Sequence, residues 1–220
     1  MPLPSIYPKY RFPLFSVLSL LTLLTFSCGP SVYEAPEAAN RVAEHQIIAV
    51  LPADVTIKGR PKDDPEVLKQ LAEVERTNFQ YEIVGWMFRR KQQGRMFVDI
   101  LDVQTTNARL TEAGFFDGNT DTYTPAEWAA ILDVDAVVTS NFQLSKPMSD
   151  GANLAVGFLT GFWGASNRTD VGMNIIDAQS GRLLWHYDWM NQNTAFGSHE
   201  ELVNQLMRNA SRRMPYIVRR

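Results

Sequence analysis

Cys28 is the only cysteine among 220 residues, and His45, His186 and His199 are the only histidines, so the side chains that most often carry nucleophilic, acid–base or metal chemistry are few. A lone thiol cannot close an internal disulfide. His186 and Asp188 stand two apart in an alternating stretch, a spacing that turns both to one face of a strand, where they could hold a metal or exchange a proton. Zinc, however, needs at least three protein ligands, and no HExxH, cysteine pair or histidine cluster completes the set. A solvated strand face is the favoured reading. Asp133, Asp135, Asp150 and Asp177 lie at the expected ends of elements. A glycosidase would need two such carboxylates roughly 5 to 10 Å apart, whereas carboxylates at turns and caps commonly bond the backbone. Neither GxSxG nor GxxxxGK is present, so a serine-hydrolase elbow and the usual phosphate cradle are both missing. No catalytic residue, metal or cofactor is expected.

One segment is unusual for a plain domain. Residues 153–166, NLAVGFLTGFWGAS, are uncharged, with Gly157, Gly161 and Ala165 at four-residue spacing and Phe158, Leu159, Phe162 and Trp163 between them. As a helix this would set a close-packing groove at Gly157 and Gly161 beside an aromatic ridge. Fourteen residues span only about 21 Å, too short to cross a bilayer. The ridge must be covered by the chain's own core, a second copy, a partner protein or a membrane interface.

The elements that would position these residues begin with a leader. Lys9 and Arg11 precede Phe12–Phe26, which carries no charge, and Ser27-Cys28-Gly29 follows. This is the charged start, apolar middle and small-residue exit of a secretory signal peptide. Fifteen helical residues would reach about 22 Å, short of a permanent span. The segment resembles a bacterial lipoprotein signal, in which the cysteine after the small residue is acylated and becomes residue one, although Leu24 lies four places before the cysteine and Phe26 is bulky. The resemblance implies lipid attachment at Cys28 and removal of residues 1–27. Removal leaves 19 basic against 24 acidic residues, net −5, so the acyl chains, at about 0.8 kcal/mol per buried methylene, must supply the membrane affinity. With no long basic run, nucleic acid is not an expected partner. Residues 28–44 read as a lipid-anchored tether, polar and alanine-rich with two prolines.

From residue 45 to 220 the pattern is that of one α/β domain. Gln46–Pro52 is an apolar run closed by proline, as in a strand buried on both faces. Asp64-Pro65 caps a long helix reaching about Lys91, with Leu68, Leu71, Phe79, Ile83, Trp86 and Met87 as its buried stripe. A second strand over 96–101, a short helix capped by Asp102, and a helix opened by the Thr124–Glu127 capping box come next. A strand from Ala136 and a hairpin turning at Gly181 follow. A helix opened by Ser198 closes the chain, with Leu202, Leu206, Ala210 and Met214 at four-residue spacing. The expected order is β-α-β-α-α-β-β-β-α, a mixed sheet with the C-terminal helix packed on it.

Three of these stretches, Ile48-Ala49-Val50-Leu51-Pro52, Ala129 to Val138, and the Asp177…Ser180-Gly181-Arg182-Leu183-Leu184-Trp185 hairpin, occur in this order in a group of bacterial envelope lipoproteins. Over about residues 46–214 the chain resembles that group, which includes the curli secretion lipoprotein CsgG, the N-terminal domain of TolB and LpoB, and is most like members without a known active site. The resemblance implies a non-enzymatic scaffold or regulatory module of the cell envelope, working through envelope proteins or a second copy of itself. With no acidic run after Cys28, it is expected on the periplasmic face of the outer membrane. The competing classes are a hydrolase of envelope polysaccharide or peptidoglycan and an oligomeric secretion channel. A channel needs lipid-facing strands of roughly ten residues, and only the glycine-interrupted 153–166 segment approaches one.

Overall fold

The computed structural model describes residues 30–59, 61, 63–117, 122–145, 168–192 and 198–218. In chain order the elements are β1 (Ser31–Glu34), α1 (Ala38–Glu44), β2 (Ile47–Val50), β3 (Asp54–Lys58), α2 (Pro65–Gln92), β4 (Asp99–Ile100), α3 (Val103–Glu112), a 3₁₀ turn (Phe115–Asp117), α4 (Pro125–Leu132), β5 (Ala136–Ser145), β6 (Arg168–Asp177), β7 (Leu183–Gln192) and α5 (His199–Ala210). The expected α/β order is present from β2 onward, with β3 as an added strand.

Local chemistry sets the helix limits. Asp64 accepts from Glu66 N–H with Pro65 opening α2, and Asp102 accepts from Thr105 N–H at the head of α3. Thr124 and Glu127 form the full capping box of α4. Ser198 caps α5 through Glu201 N–H. Gly94 and Gly114 take positive φ just past α2 and α3, the left-handed step that ends a helix.

The strand order is β1-β7-β6-β5-β2-β4. β2 pairs parallel with β4 and β5, whereas β5, β6, β7 and β1 pair antiparallel in succession, which makes the sheet mixed. β3 lies parallel to β5 along the same edge as β2, one holding Asn141–Ser145 and the other Ala136–Val138. Pro52 lies between β2 and β3, where its missing N–H costs no ladder bond.

Two layers of helix cover the sheet unequally. α1, α2 and α5 bury one whole face, where Phe79 stacks on Phe142 with ring centroids 4.0 Å apart, amid Ile48, Met173, Trp185 and Leu206. Leu202, Leu206 and Ala210 of α5, with Met214 just beyond its end, are fully packed there, as their spacing requires. α3 and α4 cover only part of the opposite face, around Ala49, Leu51 and Val137, with Trp128 packed edge-on to Phe115 and Tyr123. Burial of Ile48 and Val50 on one side and Ala49 and Leu51 on the other fits the unbroken apolar run of β2.

The tether reading of residues 28–44 does not fit residues 31–44. β1 adds to the free edge of β7, Ala35 N–H continues that ladder to Leu184 O, and α1 buries Ala38 and Val42 in the main core. Alanine-rich sequence lacks the bulky period that marks a helix face, yet an alanine fills a shallow site against a sheet completely. The leader, Cys28 and the 153–166 segment lie outside the described residues.

Candidate functional site

The half of the α3/α4 side of the sheet that no described element covers is polar. Strand register places Tyr33, His186, Asn174 and Thr139 in one row across β1, β7, β6 and β5. The next row is Ser31, Asp188, Gly172, Asn141 and, on β3, Asp54. Met190, Asp170, Gln143 and Thr56 make a third. Alternation along each strand turns these side chains away from the core while their neighbours Trp185, Tyr187, Val171 and Phe142 fill it.

A chain of hydrogen bonds ties the first row together. Asn174 Nδ2 donates to Thr139 Oγ1 at 3.1 Å, its Oδ1 lies 2.6 Å from His186 Nδ1, and His186 Nε2 lies 2.8 Å from Asp188 Oδ2. The expected pairing of His186 with Asp188 on one face therefore forms, and its other neighbours are amide and hydroxyl groups. Among the described residues no three of His, Cys, Asp or Glu gather closely enough to hold a metal ion.

Gly172 lines a groove of about 540 Å³ in the second row, bordered by Ser31, Asn141, Gln143, Asp170, Asp188 and Met190. A Cβ at position 172 would come within 2.2 Å of Asn141 Oδ1, so the missing side chain is what lets Asn141 lie over the strand there. Asp170 and Asp188 are diagonal neighbours across β6 and β7, a relation that separates Cα atoms by roughly 7 to 8 Å. The separation that matters for a sugar-cleaving pair is that of the carboxyl groups, and here each is engaged by a basic side chain, Asp170 by Arg168 and Asp188 by His186, with side-chain exposures of 31% and 57% and Asp170 Oδ1 itself buried. Asp188, the more exposed of the two, is not shielded from water as the acid of such a pair is. The sequence did not mark Asp170, because only the β5–β6–β7 register brings it to Asp188.

The four scattered aspartates do structural work wherever they are described. Asp133 ends α4 in the left-handed region at φ 55°. Asp135 accepts from the N–H groups of Gln46 and Ile47, tying the start of β2 to that of β5. Asp150 lies outside the described residues. Asp177 is the centre of a buried network. His45 Nε2 donates to its Oδ1 at 2.9 Å, Arg41 donates to both oxygens at 2.9 and 3.3 Å, and Ser180 bonds Oδ2 through its N–H and hydroxyl. Burial pushes the Asp177 carboxyl up, but the Ser180 hydroxyl, His45, Arg41 and the Ser180 N–H outweigh it and hold the group down at about 2.

The other ring nitrogen of His45 meets Tyr216 Oη at 2.7 Å. The resulting Tyr–His–Asp line has the order of a nucleophile, a base and an orienting acid. Tyr216 is fully buried against Phe97, and burial with the nearby Asp177 and Asp135 charges pushes its hydroxyl far above the ordinary tyrosine range, so it is a clamp and not a nucleophile. It joins the C-cap of α1, the end of β6 and the C-terminal segment. His199, the first residue of α5, pairs with the buried Glu75 of α2 and sets its ring edge-on to Phe79. Each of the three histidines thus binds a carboxylate, His45 and His199 across the fold and His186 on its own strand.

No protein-family model matches the sequence, and no curated protein does. Among solved structures, lipoprotein GNA1162 from Neisseria meningitidis is similar at 10% identity and a TM-score of 0.46, over 76% of this chain and 96% of that one. The PelC dodecamer from Paraburkholderia phytofirmans is similar at 11% identity and a TM-score of 0.38, over 87% and 99%. LpoB from E. coli, one of the proteins that the sequence stretches resemble, is similar at 10% identity and a TM-score of 0.35, over 87% and 79%.

Proposed function

We propose that this chain is an acylated lipoprotein of the bacterial cell envelope that acts as a non-enzymatic binding module, held through Cys28 at the periplasmic face of the outer membrane. One structural observation carries the reading. Ser145 at the end of β5 pairs with Arg168 at the start of β6, and Arg168 pairs with Gln192 at the end of β7. β1 runs antiparallel to β7 from Ser31 opposite Asp188, so the chain followed back from Ser31 heads toward that same end of the sheet. Three residues at no more than about 3.6 Å each separate Cys28 from Ser31, a reach of roughly 11 Å. The segment carrying Phe158, Leu159, Phe162 and Trp163 leaves and re-enters the domain between Ser145 and Arg168. Anchor and aromatic segment therefore attach to one end of the fold, and in this reading both meet the bilayer interface, with Gly157 and Gly161 allowing the segment close backbone contact there.

The engagement of all three histidines with carboxylates, and the pairing of Asp170 with Arg168 and of Asp188 with His186, support binding in place of catalysis. Envelope proteins or a second copy of the chain are the partners in this reading.

The test is fractionation of cells making the full chain. Cys28→Ser is expected to abolish incorporation of labelled fatty acid and to leave the protein soluble or as uncleaved precursor. Undiminished labelling overturns anchoring at Cys28. F158D/F162D/W163D, with Cys28 intact, is expected to keep the label and weaken retention on vesicles washed at high salt. Release of sugar fragments from peptidoglycan by the purified chain, lost in D170N/D188N, would make it a hydrolase instead.

A further inference from the structure

Six arginines stand in or just after the last turns of α2 and α5, and four of them, Arg89, Arg90, Arg95 and Arg208, come together. Arg89 and Arg90 occupy the last turn of α2 and Arg95 follows it, while Arg208 sits in the last turn of α5 with Arg212 and Arg213 after it. The two helices run side by side in the same direction. Glu75 meets His199 at the head of α5, and farther along Arg89 donates to Asn204 at 3.3 Å. Burial, then the like charges of Arg95, Arg208 and Arg89, hold the Arg90 guanidinium below its ordinary range.

Two helix C-termini explain part of this gathering, since each favours cations by about 0.3 to 1 kcal/mol within its last turn. That effect does not reach Arg95, Arg212 or Arg213. Among the described residues none of the six has an ion-pair partner, and the recorded acceptors are neutral: Asn204 for Arg89 and Gln93, at 3.1 Å, for Arg90. Elsewhere Arg41, Arg76, Arg168 and Arg182 each bridge a carboxylate. Among the described residues, no carboxylate compensates this cluster.

The cluster also has a shape. Phe97 N–H donates to Tyr216 O at 3.4 Å and Val218 N–H to Arg95 O at 3.0 Å, so the C-terminal segment lies along residues 95–97. Between this segment and α2 is a cleft of about 280 Å³ lined by Trp86, Arg90, Arg95, Ser211, Ile217 and Val218. Arg90 lies over the Trp86 ring, 4.7 Å from its centroid, which fixes the guanidinium at the rim.

We propose that this cleft docks an acidic peptide segment of a partner protein, with its carboxylates on Arg90, Arg95 and Arg208 and a neighbouring apolar side chain against Ile217 and Val218. Guanidinium forks match carboxylates in paired hydrogen bonds, and a cleft of this volume with an apolar wall takes one medium side chain. A phosphate backbone or lipid headgroup would use the charges and gain nothing from that wall. The inference deepens the binding-module reading and rests on it for the choice of a protein partner. Loss of membrane anchoring would leave this surface intact, so the two can fail separately.

The test uses the full chain in neutral detergent micelles and a fluorescent ten-residue peptide of glutamate and glycine with one central leucine. Binding is expected, and raising salt from about 0.05 to 0.3 M should weaken it. R95E/R208E, at exposed positions that leave circular dichroism unchanged, should raise Kd on the order of tenfold, the neutral R95Q/R208Q about threefold, and serine in place of the leucine about threefold. Equal affinity in R95E/R208E, equal binding of a lysine-for-glutamate peptide, or a preference for phosphatidylglycerol vesicles over the peptide would overturn the proposal.

Discussion

His45 Nε2 lies 2.9 Å from Asp177 Oδ1 although 132 residues separate them, and both side chains are buried. The carboxylate also takes Arg41 and Ser180, and the balance brings it down to about 2 from an ordinary 3.8. A folded-state value below the unfolded one stabilises the protein above about pH 3.8, and that stability is lost as pH falls toward 2. A shift of this size is worth about 2 kcal/mol. Asp177→Asn is therefore expected to cost about 2 kcal/mol or more at neutral pH in urea unfolding. It should also flatten the acid limb of the stability curve, and an unchanged acid limb would show that Asp177 is not its source.

Residues 31–44 should behave as part of the domain. A chain beginning at Gln46 lacks β1, the buried Ala38 and Val42, and the Arg41 that holds Asp177. It is expected to unfold at least several kcal/mol more easily than one beginning at Gly29, by the usual size of lost core contacts. Equal thermal midpoints would restore the tether.

Two glycines should respond differently to alanine. Gly181 has φ 68°, where a Cβ meets its own backbone, and its nearest neighbour, Ala126 Cβ at 3.7 Å, is an ordinary contact. Gly181→Ala should cost about 1 kcal/mol from backbone strain alone. At Gly172 the obstacle is the end of the exposed Asn141 side chain, which can swing aside. Gly172→Ala should therefore leave stability within about 0.5 kcal/mol while narrowing the groove. Thermal melts of both variants decide this.

Trp128 is the test of the smaller core. It is 2% exposed and packs edge-on to Phe115 and Tyr123 at 5.0 and 4.8 Å. Trp128→Ala is expected to lose about 3 to 5 kcal/mol. Proteolysis should then begin near α4 and the 3₁₀ turn before it reaches the β5–β6–β7 ladder.

What the amino-acid sequence determined by itself is what a few neighbouring residues settle among themselves. Asp64 with Pro65, Thr124 with Glu127, Ser198 with Glu201, and Gly181 at its turn satisfy or relax backbone groups within four residues, so they are legible as local patterns. The apolar period of α5 and the run of β2 likewise announce which faces are buried, and with them the α/β order. His186 and Asp188 were visible as a pair because alternation alone puts them on one face. Tertiary structure decided the rest. Strand register, a property of four chain segments at once, aligned Tyr33, His186, Asn174 and Thr139 and set Asp170 beside Asp188. The edge of β7 recruited β1 from a stretch too poor in bulky apolar residues to declare itself. Parallel packing of α2 and α5 brought Arg89, Arg90 and Arg95 to Arg208, more than a hundred residues along the chain. Such meetings depend on closing long loops onto a common core, and no local spacing encodes where two distant segments will touch.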